Sequence, residues 1–154
     1  YPGTGDMQEL GHGFGHGYTV NVPLVPNVGD AGYGRVLSEL IIPMARQFKP
    51  ELILVSVGYD AHWQDPLAMG GLSLTGYAQM SQALVALAEE LANGRILFVL
   101  EGGYQLQALS YGILNTFYAL LAQDKIEDPL GRSPREEQDI SQLMRQLKRH
   151  HLIY

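Results

Sequence analysis

A carboxylate and a phenol in this sequence stand where chemistry is usually done. Asp60 follows the apolar run Leu52-Ile53-Leu54-Val55-Ser56-Val57, and Tyr104 follows Ile96-Leu97-Phe98-Val99-Leu100. Each run has the length and composition of a buried strand. If both are parallel strands of one sheet, their C-terminal ends open on the same edge. Open α/β sheets take ligands outside that edge. A carboxylate there suits a metal ligand, and a phenol suits a donor to a developing oxyanion.

The surroundings sharpen both candidates. Asp60 belongs to Gly58-Tyr59-Asp60-Ala61-His62-Trp63-Gln64-Asp65. In an extended segment Asp60 and His62 share a side, so both could hold a metal. The plainer alternative is that Asp60 caps a turn while His62 packs on Trp63. Tyr104 ends Glu101-Gly102-Gly103-Tyr104, where two glycines permit close backbone approach; the plainer alternative is a tight turn with a half-buried aromatic. His12 and His16 lie in Gly11-His12-Gly13-Phe14-Gly15-His16-Gly17, read as a turned surface loop. His150 and His151 follow Arg145, Lys148 and Arg149 at a basic helix end, where cations complement the helix dipole.

The elements that must position these groups are legible from pattern. Residues 1–17 hold six glycines and read as a loop. Thr19-Val20-Asn21-Val22-Pro23 reads as a short strand. A helix is expected over about Ala31 to Phe48, kinked or divided at Pro43. The strand Leu52–Val57 leads into a long loop, 58–74, on the ligand edge. Thr75 is expected to cap a helix running to Ala92, stopped by Asn93-Gly94. A helix of about Gln105 to Gln123 follows the second strand. Ser133-Pro134-Arg135-Glu136 reads as the start of a last helix with the apolar stripe Ile140, Leu143 and Leu147. Strands alternating with helices argue for a three-layer α/β fold with a mostly parallel sheet. Three strands are few for such a fold, so the chain reads as part of a sheet.

Composition bounds the rest. With 154 residues, 46% hydrophobic and 17% charged, the chain can bury one core. A net charge of −6 argues against nucleic acid as partner. The sequence has no cysteine, so any metal must be held by oxygen and nitrogen. No apolar run approaches the ~20 residues of a membrane helix. A cytoplasmic location is the expectation. The first residue is Tyr1 rather than methionine, which points to an absent upstream part.

Four stretches together resemble the histone deacetylase family, which includes acetoin-utilisation proteins and acetylpolyamine amidohydrolases. They are Tyr1-Pro2-Gly3-Thr4-Gly5, Val20-Asn21-Val22-Pro23-Leu24 after the glycine run, Gly58-Tyr59-Asp60-Ala61-His62 with Asp65-Pro66-Leu67, and Glu101-Gly102-Gly103-Tyr104. The resemblance covers about residues 1–122, is nearest the class II-like bacterial branch, and leaves 123–154 as a C-terminal turn and helix.

The resemblance implies an arginase/deacetylase-like α/β fold, of which this chain is the C-terminal part. It implies hydrolysis of an N-acetyl amide, of acetyl-lysine or acetylpolyamine, with Zn2+ or alternatively Fe2+. Asp60 is then one metal ligand and Tyr104 the oxyanion donor. Leu67, Tyr1, Gly102 and Gly103 line the substrate channel. His62 matches no family ligand, so it and Asp65 take a supporting or pocket-rim role. The family's remaining metal ligands and its histidine pair have no counterpart here. Such a chain alone is expected to be inactive, with the missing N-terminal half or a second copy as partner. A non-catalytic or split-enzyme module is the alternative. An arginase-type site needs more Asp and His ligands than the sequence offers.

Overall fold

The computed structural model describes residues 3–151. Its centre is a pair of parallel strands, β1 (Ile53–Val57) and β2 (Ile96–Leu100), in register from Ile53 opposite Ile96 to Val57 opposite Leu100. The connection between them is α3 (Leu74–Ala92), which packs on β2 and on α4 (Leu106–Leu120). Asn93, at φ 51°, and Gly94, at φ 74°, end α3 in left-handed geometry, as their types require.

Before the sheet runs one interrupted helix: α1 (Asp30–Val36), a π-helical turn (Leu37–Ile41) and α2 (Ile42–Phe48). Pro43 explains the interruption. It has no N–H, and its ring crowds the carbonyl four residues back. The wider π turn relieves this, with the Ile42 N–H donating to Leu37 O. The final helix, α5 (Ser141–His150), lies across α1. Ile140, Met144 and Leu147 meet Val28, Val36 and Leu40 in one buried cluster. Each such side chain contributes about 1.5–3 kcal/mol on burial.

Three expectations are corrected. Residues 19–23 take up no regular element and form no ladder, because no neighbouring strand among the described residues offers them hydrogen bonds. The N-cap of α3 is Ser73, not Thr75: Ser73 Oγ accepts the Gly76 N–H at 3.1 Å. Thr75 instead donates its N–H and its hydroxyl to Asp128, at 3.0 and 2.9 Å. The last helix does not begin at Ser133-Pro134. Ser133 Oγ accepts the Arg135 N–H to close a turn. Glu137 then turns away to receive the Ala31 and Gly32 N–H groups at the start of α1, so the chain there serves another helix's orphan donors.

Candidate active site

Because β1 and β2 are parallel and in register, the segments after Val57 and Leu100 leave the sheet together. The ladder continues past both strands: Glu101 N–H donates to Val57 O at 3.0 Å and Tyr59 N–H to Gly102 O at 2.9 Å. This brings the Asp60 carboxylate against the second segment. A Cβ on Gly102 would lie 2.8 Å from Asp60 Oδ2, and one on Gly58 would lie 2.6 Å from Oδ1. Gly102 is therefore glycine because the carboxylate occupies its side-chain space. Gly103, at φ 136°, turns the chain where an L side chain is strained.

Asp60 lines an open cleft of about 420 Å³ with Leu24, Val28, Tyr33, Ala61, Met69 and Gly70. Three tyrosines back it. Tyr77 donates to Gly58 O at 3.1 Å and meets the Tyr59 ring at 5.2 Å. The Tyr59 hydroxyl shares a hydrogen bond with Thr116 at 2.8 Å, its ring lying on Gly112, where a Cβ would not fit. Burial, and then the Asp60 charge, raises the Tyr33 pKa. Burial, Tyr33 and Asp60 raise that of Tyr77 still further. Both phenols therefore stay protonated beside the carboxylate. No sequence motif marks Tyr33 or Tyr77 as part of the site.

Asp65 joins the two segments. Its Oδ2 accepts the Tyr104 N–H at 2.8 Å, while Oδ1 accepts those of Leu67 and Ala68 at 2.9 and 3.1 Å. Burial pushes this carboxyl up, but the N–H groups of Tyr104, Leu67, Ala68 and Gln105 together hold it below its ordinary range. A depressed folded pKa means the clamp is intact above the ordinary carboxylate value of 3.8. It is lost as pH falls through the lower folded value. Asp65→Asn can satisfy only part of this donor set at neutral pH. Amide exchange at Tyr104 should rise at least tenfold, matching a charged-acceptor hydrogen bond of roughly 1.5 kcal/mol. Unchanged exchange would show that Asp65 does not hold the turn.

The other expected residues are distributed less simply. His62 has no exposed surface, which leaves a supporting rather than a rim position of the two expected for it. Its ring lies 5.8 Å from that of Trp63, and its Nδ1 accepts the Gln64 N–H at 3.2 Å. Burial lowers its pKa against the opposing pull of Asp128, Asp65 and Asp30. Leu67 is exposed, and Met69 rather than Leu67 lines the Asp60 cleft. Tyr104 rises from the same sheet edge as a residue 53% exposed, and it is not part of that cleft wall. Tyr1 lies outside the described residues. His16, His150 and His151 meet in a separate groove with Tyr18 and Phe48.

Among the described residues no group of three or more His, Asp or Glu side chains is placed to hold a metal ion. A catalytic zinc takes about three protein ligands. The cleft offers the Asp60 carboxylate alone, so these residues do not by themselves fit a resident metal.

The model of the histone deacetylase domain matches residues 1–120, and the chain belongs to that family. It is 46% identical over 125 residues to a probable deacetylase of Archaeoglobus fulgidus, covering 80% of this chain and 35% of that protein. It is 44% identical over 126 residues to the chloroplastic histone deacetylase 14 of Arabidopsis thaliana, covering 82% of this chain and 30% of that protein. Its structure superposes on the crystal structure of the HDA15 HD domain with a TM-score of 0.82 at 33% identity. That match takes in 99% of this chain and 40% of the other. The chain thus spans about a third of the length of these curated relatives.

Proposed function

We propose that the chain forms one wall of the active site of a deacetylase that hydrolyses N-acetyl amides of acetyl-lysine or acetylpolyamine type. The observation that carries this is the Asp60 carboxylate seated on Gly102, with the Tyr104 turn clamped by Asp65 at the same sheet edge. Asp60 offers a donor to a divalent ion, zinc or ferrous iron, whose other ligands come from outside these residues. Such an ion would supply Lewis-acid polarisation of the acetyl group. Tyr104 donates its hydroxyl to the oxyanion formed from the acetyl carbonyl. Gly102 and Gly103 leave room for the approach, exposed Leu67 stands outside the cleft where an acyl chain would enter, and Met69 and Leu24 keep the carboxylate's surroundings apolar.

Among the described residues nothing completes a ligand set around Asp60, and no imidazole lines its cleft for proton transfer, a contribution of about 10²–10⁴-fold. Assayed with an acetyl-lysine peptide and added zinc or iron, it should show no turnover. Co-expression with the remaining portion of the Archaeoglobus fulgidus relative should restore turnover. Robust turnover by the chain alone, or an inactive complex, would overturn this reading. The exposed outer side of the sheet favours a second reading, a non-catalytic docking module, and an inactive complex is the result that would select it.

A further inference from the structure

The match to the histone deacetylase domain ends at residue 120, yet the segment after it reaches back to the candidate site. Residues 127–131 are held at two points. Asn115, buried on α4, donates to Glu127 O and accepts the Glu127 N–H, each at 2.9 Å. Asp128 Oδ2 takes the Thr75 N–H and hydroxyl at the start of α3, while its Oδ1 takes the Gly131 N–H at 2.8 Å. Gly131, at φ 66°, supplies the left-handed backbone of this closure. The turn is thereby tied to two helices. Its Gly131 carbonyl accepts the Trp63 indole N–H at 2.9 Å.

Trp63, the one tryptophan of the sequence, belongs to the turn that clamps Tyr104. Its own N–H donates to Leu72 O at 3.0 Å. The Asp65 N–H donates to His62 O at 2.9 Å, and the Gln64 N–H to His62 Nδ1 at 3.2 Å. Residues 62–65 therefore move as one closed turn, with the indole anchored on Gly131 and the Asp65 carboxylate receiving the Tyr104 N–H. The buried His62 ring lies against the indole and leaves the turn little room to pivot about it. Trp63 is not among the residues of the Asp60 cleft, so its route to the site runs through Asp65. We infer that Trp63 is a positioning residue for the deacetylation: fixed to the Gly131 carbonyl, it sets the turn whose Asp65 carboxylate holds Tyr104 at the sheet edge. The inference rests on the functional reading above for the reaction that Tyr104 serves.

The first arm of the test uses the full chain alone. Trp63→Phe keeps an aromatic ring beside His62 and removes the indole N–H. Amide exchange at Tyr104 should rise about threefold to tenfold, the scale of one hydrogen bond between neutral groups. Gly131→Ala keeps the indole and strains the turn that offers the carbonyl, with nothing within 4 Å of the added Cβ. It should raise Tyr104 exchange comparably and shift the Trp63 emission to longer wavelength, and it carries the test if Trp63→Phe does not fold. The second arm uses the chain complemented to an active deacetylase. There Trp63→Phe should lower kcat by about the same factor, with KM and bound metal changed by less than about twofold. In the Tyr104→Phe background the same substitution should have no further effect on kcat, because the group it positions is gone. A merely structural indole would lower kcat equally in both backgrounds. Tyr104 exchange unchanged in both variants, or a kcat loss repeated in full in the Tyr104→Phe background, would overturn the inference. If the complemented parent does not turn over acetyl-lysine peptide, the functional reading fails, and the role of Trp63 is decided by Tyr104 exchange alone.

Discussion

Alanine at position 70 is expected to destabilise the chain by roughly 2–4 kcal/mol, although it adds one methyl group. The added Cβ would fall on the Ala61 backbone, against its carbonyl oxygen, with the Ala61 Cα only 2.6 Å away. A side-chain tip could rotate aside; a main chain in the same loop cannot. Residues 61 and 72 are joined there by the Leu72 N–H···O Ala61 bond of 3.1 Å, and His62 and Leu72 form a bridge. Separating the two strands of the loop breaks that bond, worth about 1 kcal/mol, and adds overpacking of about 1–3 kcal/mol. Since Ala61 and Gly70 both line the Asp60 cleft, the lesion displaces the candidate site as well as the fold. Gly34→Ala is the control. Nothing lies within 4 Å of a Cβ there, and helix propensity should make it stabilising by about 0.5–1 kcal/mol. Urea midpoints of the two variants should move in opposite directions. Equal midpoints would mean that the loop closes less tightly than this packing requires.

That loop also shows how far the sequence could be read. β1, β2, α3 and α4 follow from apolar runs and stop signals within single segments, because local pattern and tertiary burial agree there. The convergence of Asp60 and Gly102 follows from parallel pairing, which the strand–helix–strand order favours. What was illegible depends on distant partners. Ser73 caps α3, where Thr75 looks equally suitable, because Asp30 receives the Ser73 N–H and hydroxyl at 2.8 and 2.6 Å while Asp128 claims Thr75. The capping pattern at Ser133 fails because Glu137 and the chain beside it are drawn to α1. Thr19–Pro23 has the residues of a strand but, among the described residues, nothing to pair with. His62 next to Asp60 looks reactive in sequence, yet burial and the Trp63 ring make it part of the loop's interior. Tyr77 looks like a core aromatic, and only its hydrogen bond to Gly58 ties it to the site.

Tyr104→Phe, made in the chain once complemented to an active deacetylase, should lower kcat by about 10²–10³-fold, the cost of removing one oxyanion donor. The reasoning starts from how the tyrosine is held. Its backbone is fixed by the Asp65 carboxylate and by the turn at Gly103, while about half of the residue is exposed. Phenylalanine can therefore keep the same backbone and ring placement, with an unchanged unfolding midpoint and exchange protection. A donor used mainly when negative charge develops on the acetyl oxygen affects kcat more than KM. Asp60→Asn should behave differently. It removes the only carboxylate of the cleft, so bound metal and turnover should fall together, read by metal content of the purified complex. Phenylalanine at 104 should leave metal content intact. The pair of variants thus separates a ligand from a donor. Should the Tyr104 variant turn over at the parent rate, the phenol is only a surface aromatic at the sheet edge. Should the Asp60 variant keep its metal, the carboxylate's seat on Gly102 is a packing contact and the cleft is not the metal's wall.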